Sequence, residues 1–381
     1  MTVVVKIGST SVTTADGRVD VAAVVKLARE IGTLWRSGRP AVVVTSGAVS
    51  AGVAAVKPPG GRPADTTTLQ ALSTIGQHRL MRVYDDAFAA EHLLVAQVLL
   101  SLPDFGARHQ YLHARETINR LIELGAVPVI NENDAVADDE IRCGDNDRLA
   151  ALVANLVGAE CLVLLTDTEG LFDADPRRFA DATLVEQVVA VDAAFDAVAG
   201  GAGSPAGSGG MATKLAAARV AAWCGVRAVI AAASRPDVVV DAVAGSAGVG
   251  TTILPRDERL PARKAWIAFA LPAVGRVVVD DGCRRALVEH EASLLPAGVV
   301  EIATPFGSDD PIEIVAADGA VIAKGIARRP SDRAGEWIGR RSSDLPPELA
   351  GELVHRDDLV VLTGVALSRR GSRSPRRAVP R

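Results

Sequence analysis

The chain is poor in residues that would mark several protein classes at once. Aromatic side chains make up only 3% of its 381 residues, so the interior must be built mainly from Val, Ala and Leu. The four cysteines, Cys143, Cys161, Cys224 and Cys283, show no CxxC spacing, which speaks against a metal knuckle or disulfide framework and fits a reduced, cytoplasmic protein. A net charge of −5 argues against a general nucleic-acid binder. No charged segment precedes an apolar one at Met1, and no uncharged apolar run reaches about 18 residues. The expectation is a cytoplasmic chain, neither secreted nor spanning a membrane. There is no GxxxxGKS/T and no well-placed GxGxxG, so a P-loop ATPase and a Rossmann dehydrogenase are both unsupported. SGAVSAG misses the GxSxG spacing and no histidine is placed to complete a triad, which speaks against a serine hydrolase.

Hydrophobic residues make up 49% and charged residues 23%, the balance of a globular chain of two or three domains. TVVVKIG, AVVVTSG, LLVAQVLL, AVPVINE, CLVLLTD and VRAVIAA are short β-branched runs without polar alternation. Strands of that kind are buried on both faces, as in a mostly parallel sheet covered by helices. The intervening stretches 21–36, 66–90, 113–124, 147–157 and 211–223 read as helices, giving a doubly wound three-layer αβα sandwich over residues 1–255. A linker is expected over 256–271. The close-set runs GRVVVDDG, GVVEIA, DPIEIV and AVIAKGIA then predict a small C-terminal all-β barrel over 272–363. Residues 364–381 read as a disordered tail, in which SRRGSRSPRRAVPR carries six arginines and no acid; a solvated end is favoured over polyanion binding.

In open α/β sheets, ligands bind beyond the carboxyl ends of the strands. Those ends read Lys6-Ile7-Gly8-Ser9, Thr45-Ser46-Gly47-Ala48, Asn131-Glu132-Asn133-Asp134 and Thr166-Asp167. The stretch VINENDAVADDEIRCGDND, 129–147, crowds seven carboxylates together, which repel unless a cation or hydrogen-bonding ligand shares the site. Glycines 200 to 210 run into a helical segment with Lys214 near its start, and free N–H groups there suit a phosphate chain. A glycine-rich loop is a weak signal by itself, and a lone Lys6 reads as a surface lysine. Together on one rim they point to an α/β enzyme that binds a phosphorylated ligand.

VVVKIGST, VVVTSGAVSAG, PVINENDAV, EIRCGDND, LLTDTEGLFDADPR and GSGGMATKLAAARVA resemble, in order, the motif series of the glutamate 5-kinases of the amino-acid kinase family. GRVVVDDGCRRAL and SLLPAGV resemble the PUA domain appended to many of them. The resemblance covers nearly the whole chain except the tail. It implies phosphorylation of the L-glutamate γ-carboxylate by ATP, the first step of proline synthesis, with Mg2+ on the nucleotide and proline as a feedback inhibitor. It also implies catalytic roles for Lys6 and Lys214, oriented by Asp147, and a glutamate site at Ser46, Gly47, Asp134 and Asn146. The nucleotide falls to Lys6, Thr166 and Asp167 and to Ser208, Gly209, Gly210, Met211, Ala212, Thr213 and Lys214. No residue gains a metal-ligand role by spacing. Ser208 stands where Thr is expected, which keeps the hydroxyl. Turn formation for Asp134 and helix capping for Asn146 are the structural alternatives.

The acidic loop 137–143 holds more carboxylates than glutamate recognition needs, and the expectation is that Glu140 and its neighbours take part in proline inhibition; a solvated charged loop is the alternative. Family members are dimers or tetramers, so a homo-oligomer is expected, with segment 66–90 as a candidate interface. RNA binding by the PUA-like part rests on fold analogy alone, and Asp309 and Asp310 would repel phosphate backbones. Two other readings stay open: a sibling such as acetylglutamate kinase, aspartokinase or uridylate kinase, and a non-catalytic protein on the kinase fold.

Overall fold

A computed structural model describes residues 1–136, 146–174, 176, 179, 181–189, 209–347 and 349–362. The chain divides into two compact units, Met1–Pro272 and Ala273–Arg381.

The first unit is built around β1, Val3–Ile7, whose β-branched run favours extended chain and whose five residues are all buried. On one side lies β2, Ala41–Val44, followed outward by β4, Ala126–Glu132, and β3, Leu94–Leu100. On the other lies β5, Cys161–Thr166, then β7, Arg227–Ala232, β8, Thr251–Ile253, and β6, Gln187–Val188. Neighbouring strands run parallel except β7 and β8, which are antiparallel.

Helices α1 (Ser9–Val12) and α2 (Val21–Arg36) follow β1, and α3 (Ala48–Val56) and α4 (Thr66–Ala89) follow β2. Next come α5 (Leu102–Gly106), α6 (Arg108–Glu123) and α7 (Asn146–Leu156). Helix α8 (Gly209–Trp223) enters β7, α9 (Val238–Ala244) leaves it, and α10 (Ala262–Ala265) follows β8.

Strand parity decides which side chains meet which layer. Val3, Val5 and Ile7 enter one core with Leu27 and Ile31 of α2, Leu80 and Phe88 of α4, and Val239 of α9. Lys6 has the opposite parity and therefore faces the other layer, where α7 and α8 pack on each other and on the sheet. Asn131 near the end of β4 has the parity of Val127 and Val129, which face the α4 side.

Three expectations change. LLVAQVLL forms β3, but as an edge strand with one neighbour it is not buried on both faces: Leu94 is 69% and Leu99 39% exposed. The helix expected from 113 begins at Arg108. Residues 256–271 are folded into the first unit rather than linking two bodies. The Arg256 guanidinium lies 4.2 Å from the Trp223 ring centre, Leu260 N–H donates to Trp223 O, and Trp266 Nε1 donates to Phe105 O at 2.7 Å.

The second unit holds a sheet of β9 (Gly275–Val279), β10 (Val299–Thr304), β11 (Pro311–Val315), β12 (Val321–Ile326) and β13 (Leu359–Val361) in the order β10-β9-β11-β12-β13. Its core gathers Val277, Ile312, Ile314, Leu353 and the buried Trp337. The all-β reading omitted two helices, α11 (Asp281–His290) and the single turn α12 (Ala334–Trp337). Asp280 starts α11 by accepting from Cys283 N–H at 2.7 Å. Among the described residues, no helix is long and apolar enough to cross a membrane.

Candidate active site

The carboxyl ends of β1, β2, β4 and β5 share one rim, and there the α7–α8 layer meets Lys6. Lys6 Nζ lies 2.6 Å from Asp147 Oδ1, and Lys214 Nζ lies 3.2 Å from Asp147 Oδ2. Thr213 Oγ1 donates to the same Oδ2 at 2.9 Å, and Lys214 Nζ also reaches Gly210 O at 3.3 Å. Lys6 is 5%, Asp147 1% and Lys214 8% exposed. Burial acts to raise the Asp147 carboxyl, but the charges of Lys6 and Lys214, with hydrogen bonds from Lys6 and Thr213, outweigh it and hold the group below its ordinary value. Two cations 208 positions apart in the chain thus sit on one ionised carboxylate.

Asp147 is the second residue of α7 and Asn146 the first. Successive helical residues are turned by about 100°, so the pair splits its work. Asp147 faces the lysines, while Asn146 faces the ends of β2 and β4. Its Nδ2 lies within hydrogen-bond reach of Thr45 O at 2.6 Å, Ser46 Oγ at 2.9 Å and Asn131 Oδ1 at 2.9 Å. Gly47 follows Ser46 at φ 98°, a left-handed conformation that caps α3. A Cβ there would also stand 3.0 Å from both Val12 and Thr13 side chains.

Helix α4 supplies a polar stripe to this rim. Ser73 Oγ donates to Asp134 Oδ2 at 2.6 Å, Gln77 Oε1 accepts from Asn131 Nδ2 at 2.7 Å, and Tyr84 OH pairs with Thr45 Oγ1 at 2.9 Å. Asp134 opens a short 3₁₀ turn, Asp134–Val136. Burial pushes its carboxyl above the ordinary value, with the Ser73 hydrogen bond acting against that rise. The stripe is held close by bare backbone. A Cβ at Gly52 of α3 would overlap the carbonyl oxygen of Leu72, and one at Gly76 of α4 would overlap that of Ala48.

On the other flank, Thr166 ends β5 and donates to Asp167 Oδ1 at 3.0 Å. Gly209, Gly210, Met211, Ala212, Thr213 and Lys214 form the opening turns of α8. Ser208, Glu140 and the rest of 137–145 lie outside the described residues. Among the described residues no group of three or more His, Cys, Asp or Glu side chains could hold a metal ion. The described cysteines are buried, with Cys161 pushed up to about 11 and Cys224 and Cys283 to about 12 by that burial, so none offers a ready thiolate.

Residues 1–232 match the model of the amino acid kinase family and residues 275–346 that of the PUA domain. Curated relatives named glutamate 5-kinase match almost end to end. That of Nocardia farcinica is 43% identical over 361 residues, covering 94% of this chain and 96% of its own. That of Myxococcus xanthus is 45% identical over 365 residues with the same coverage, and that of Mycobacterium tuberculosis 42% over 362, with 94% of each covered. The chain belongs to the glutamate 5-kinase family.

Among solved structures, an isopentenyl phosphate kinase of T. acidophilum aligns with 17% identity and a TM-score of 0.45, over 66% of this chain and 100% of that one. For a member of the glutamate 5-kinases, the lysines, Asp147 and Asn146 were legible as motif residues. Ser73, Gln77 and Tyr84 were not, since α4 carries no motif. Their one signal is polar groups on the stripe that also bears the buried Leu72, Gly76 and Leu80.

Proposed function

We propose that the chain transfers the γ-phosphoryl group of ATP to the γ-carboxylate of L-glutamate, giving γ-glutamyl phosphate and ADP, the first step of proline biosynthesis. One observation carries this reading: Lys6 and Lys214 converge on Asp147 at the rim where an α/β sheet binds ligands. The substrate carboxylate is already an anionic nucleophile at neutral pH, so no general base is required. What remains is in-line positioning and neutralisation of charge on the moving phosphoryl group, and two steered ammonium groups supply that.

The substrate side supports a zwitterion. Ser46 Oγ lies beside Asn146 Nδ2, an amide nitrogen that cannot accept, so the Ser46 O–H remains, with the N–H groups at the start of α3, to donate to a carboxylate. Asp134 keeps one oxygen beyond its Ser73 bond for the α-ammonium. Thr166, Asp167, Ser208 and the opening of α8 from Gly209 to Lys214 would hold the nucleotide. Mg2+ would come bound to ATP phosphates and water. Asp147 is engaged by two ammonium groups and a hydroxyl, and no step is assigned to a metal ligand of this chain. Inhibition by proline, a cytoplasmic location and a dimeric or tetrameric assembly belong to the same proposal.

The test is a hydroxylamine trap. With L-glutamate, ATP and Mg2+, the expected product is γ-glutamyl hydroxamate, formed in step with ADP and reduced by proline. ATP turnover that ignores L-glutamate, or that follows acetylglutamate, aspartate or UMP instead, would remove the assignment. For the acidic loop, unchanged proline sensitivity in Glu140→Ala would remove its regulatory role.

A further inference from the structure

The amide groups behind Ser46 form a relay whose polarity is fixed at both ends by main chain. Glu132 N–H donates to Asn131 Oδ1 at 2.9 Å, so that atom is the oxygen and Asn131 Nδ2 must point the other way. There it meets Gln77, which therefore presents Oε1, at 2.7 Å. At the far end, Thr45 O can only accept, so the Asn146 atom 2.6 Å from it is Nδ2. Asn131 Oδ1 accepts from that same Nδ2 at 2.9 Å. Both hydrogens of Asn146 are thereby engaged on the protein side. Its Oδ1 is the group left over, with no hydrogen-bond partner among the described residues.

We propose that Gln77 is a positioning residue: by holding Asn131, it locks Asn146 with its carbonyl oxygen toward the substrate, so that the site selects an α-amino acid over a plain dicarboxylate. The proposal rests on the L-glutamate reading above. An ammonium group needs acceptors; Asn146 Oδ1 and Asp134 are two of them. Glutarate, which lacks the ammonium, would leave both unanswered and cost the site two buried bonds. Gln77 is buried and contributes one acceptor. Without it, Asn131 Nδ2 is a buried donor with nothing to donate to, and the Glu132 N–H is left as the one bond, of the two, that holds Asn131 Oδ1 toward Asn146.

The experiment compares wild type, Gln77→Met and Gln77→Glu. It reads hydroxamate formation, calorimetric affinity for L-glutamate and for glutarate, and the thermal unfolding midpoint. In Gln77→Met, the KM and Kd for L-glutamate are expected to rise roughly tenfold, the size of one buried hydrogen bond left unmade, while kcat, the KM for ATP and the glutarate affinity hold. Gln77→Glu keeps an acceptor toward Asn131 and should restore L-glutamate binding. Three results would overturn the proposal: unchanged L-glutamate affinity in Gln77→Met, equal losses for glutarate and L-glutamate, or a Gln77→Glu variant that folds yet binds as poorly as Gln77→Met. Should wild type bind L-glutamate without turning it over, the reaction assignment fails and the calorimetric comparison still decides on Gln77. Absence of L-glutamate binding by wild type sinks both.

Discussion

Replacing Asp147 by Asn keeps the outline of the side chain and removes the charge that Lys6 and Lys214 share. The Asp147→Asn variant should form hydroxamate at least about a hundredfold more slowly and unfold with a loss of about 3 kcal/mol, the usual scale when one member of a buried ionic cluster is neutralised. Steady-state rates and urea unfolding check the two parts. The carboxylates also predict opposite pH behaviour. Asp147 is held below 3.8 in the fold, so its stabilising contribution is complete above 3.8 and is lost as pH falls through the lower folded value. Asp134 is raised above 3.8, so its ionisation costs stability as pH rises from 3.8 through the folded value. Because an ammonium ligand needs Asp134 ionised, L-glutamate affinity should fall as pH drops into that raised range, and Asp134→Asn should bind weakly at every pH. Calorimetric titrations from pH 4 to pH 7 would read this, and a pH-independent wild-type affinity would count against the Asp134 role. At this scale Lys6, Asp147 and Lys214 were legible through the motif series that contains them, since a lone lysine reads as a surface residue. The relay was not, since the partners of Asn131 and Asn146 depend on which helix crosses behind them.

Helices α3 and α4 show what a linear reading misses at the next scale. AVSAGVAAV lacks the polar face that announces a helix, and the face it buries holds Ala48, Val49, Ala51 and Gly52. The carbonyl oxygens that would meet a methyl at Gly52 and Gly76 are backbone and cannot rotate away. Gly52→Ala or Gly76→Ala should therefore force the helices apart, at on the order of 3 kcal/mol, and displace Ser73 and Gln77 from their partners. Thermal unfolding together with the KM for L-glutamate would register both effects, while the KM for ATP, whose proposed site is at the start of α8, should change less. The expected strands were found because β-branched runs bounded by glycine have one reading. β3 was misjudged in burial because a run of Leu and Val looks alike at the edge of a sheet and in its middle.

For the molecule as a whole, the described site residues all lie in the first unit, whose core is its own. A chain ending at Pro272 should retain glutamate-dependent phosphoryl transfer. One ending at residue 255 should not fold stably, because it loses the Trp266 bond to Phe105 and the Leu260 bond to Trp223. Activity and cooperative unfolding of the two truncations would separate these outcomes. Composition placed the change of architecture near 255, where prolines and charges cluster. The physical boundary falls later, because Arg256 lies over Trp223 and Leu260 and Trp266 hydrogen-bond to Trp223 and Phe105 of the first unit. The Gly52–Gly76 contact has a last consequence for how such a protein can be altered over generations. Where two main chains touch, no partner residue can shrink to admit a larger one. A library randomised at both codons should return glycine at each, and no compensating change elsewhere on either helix should relax that demand.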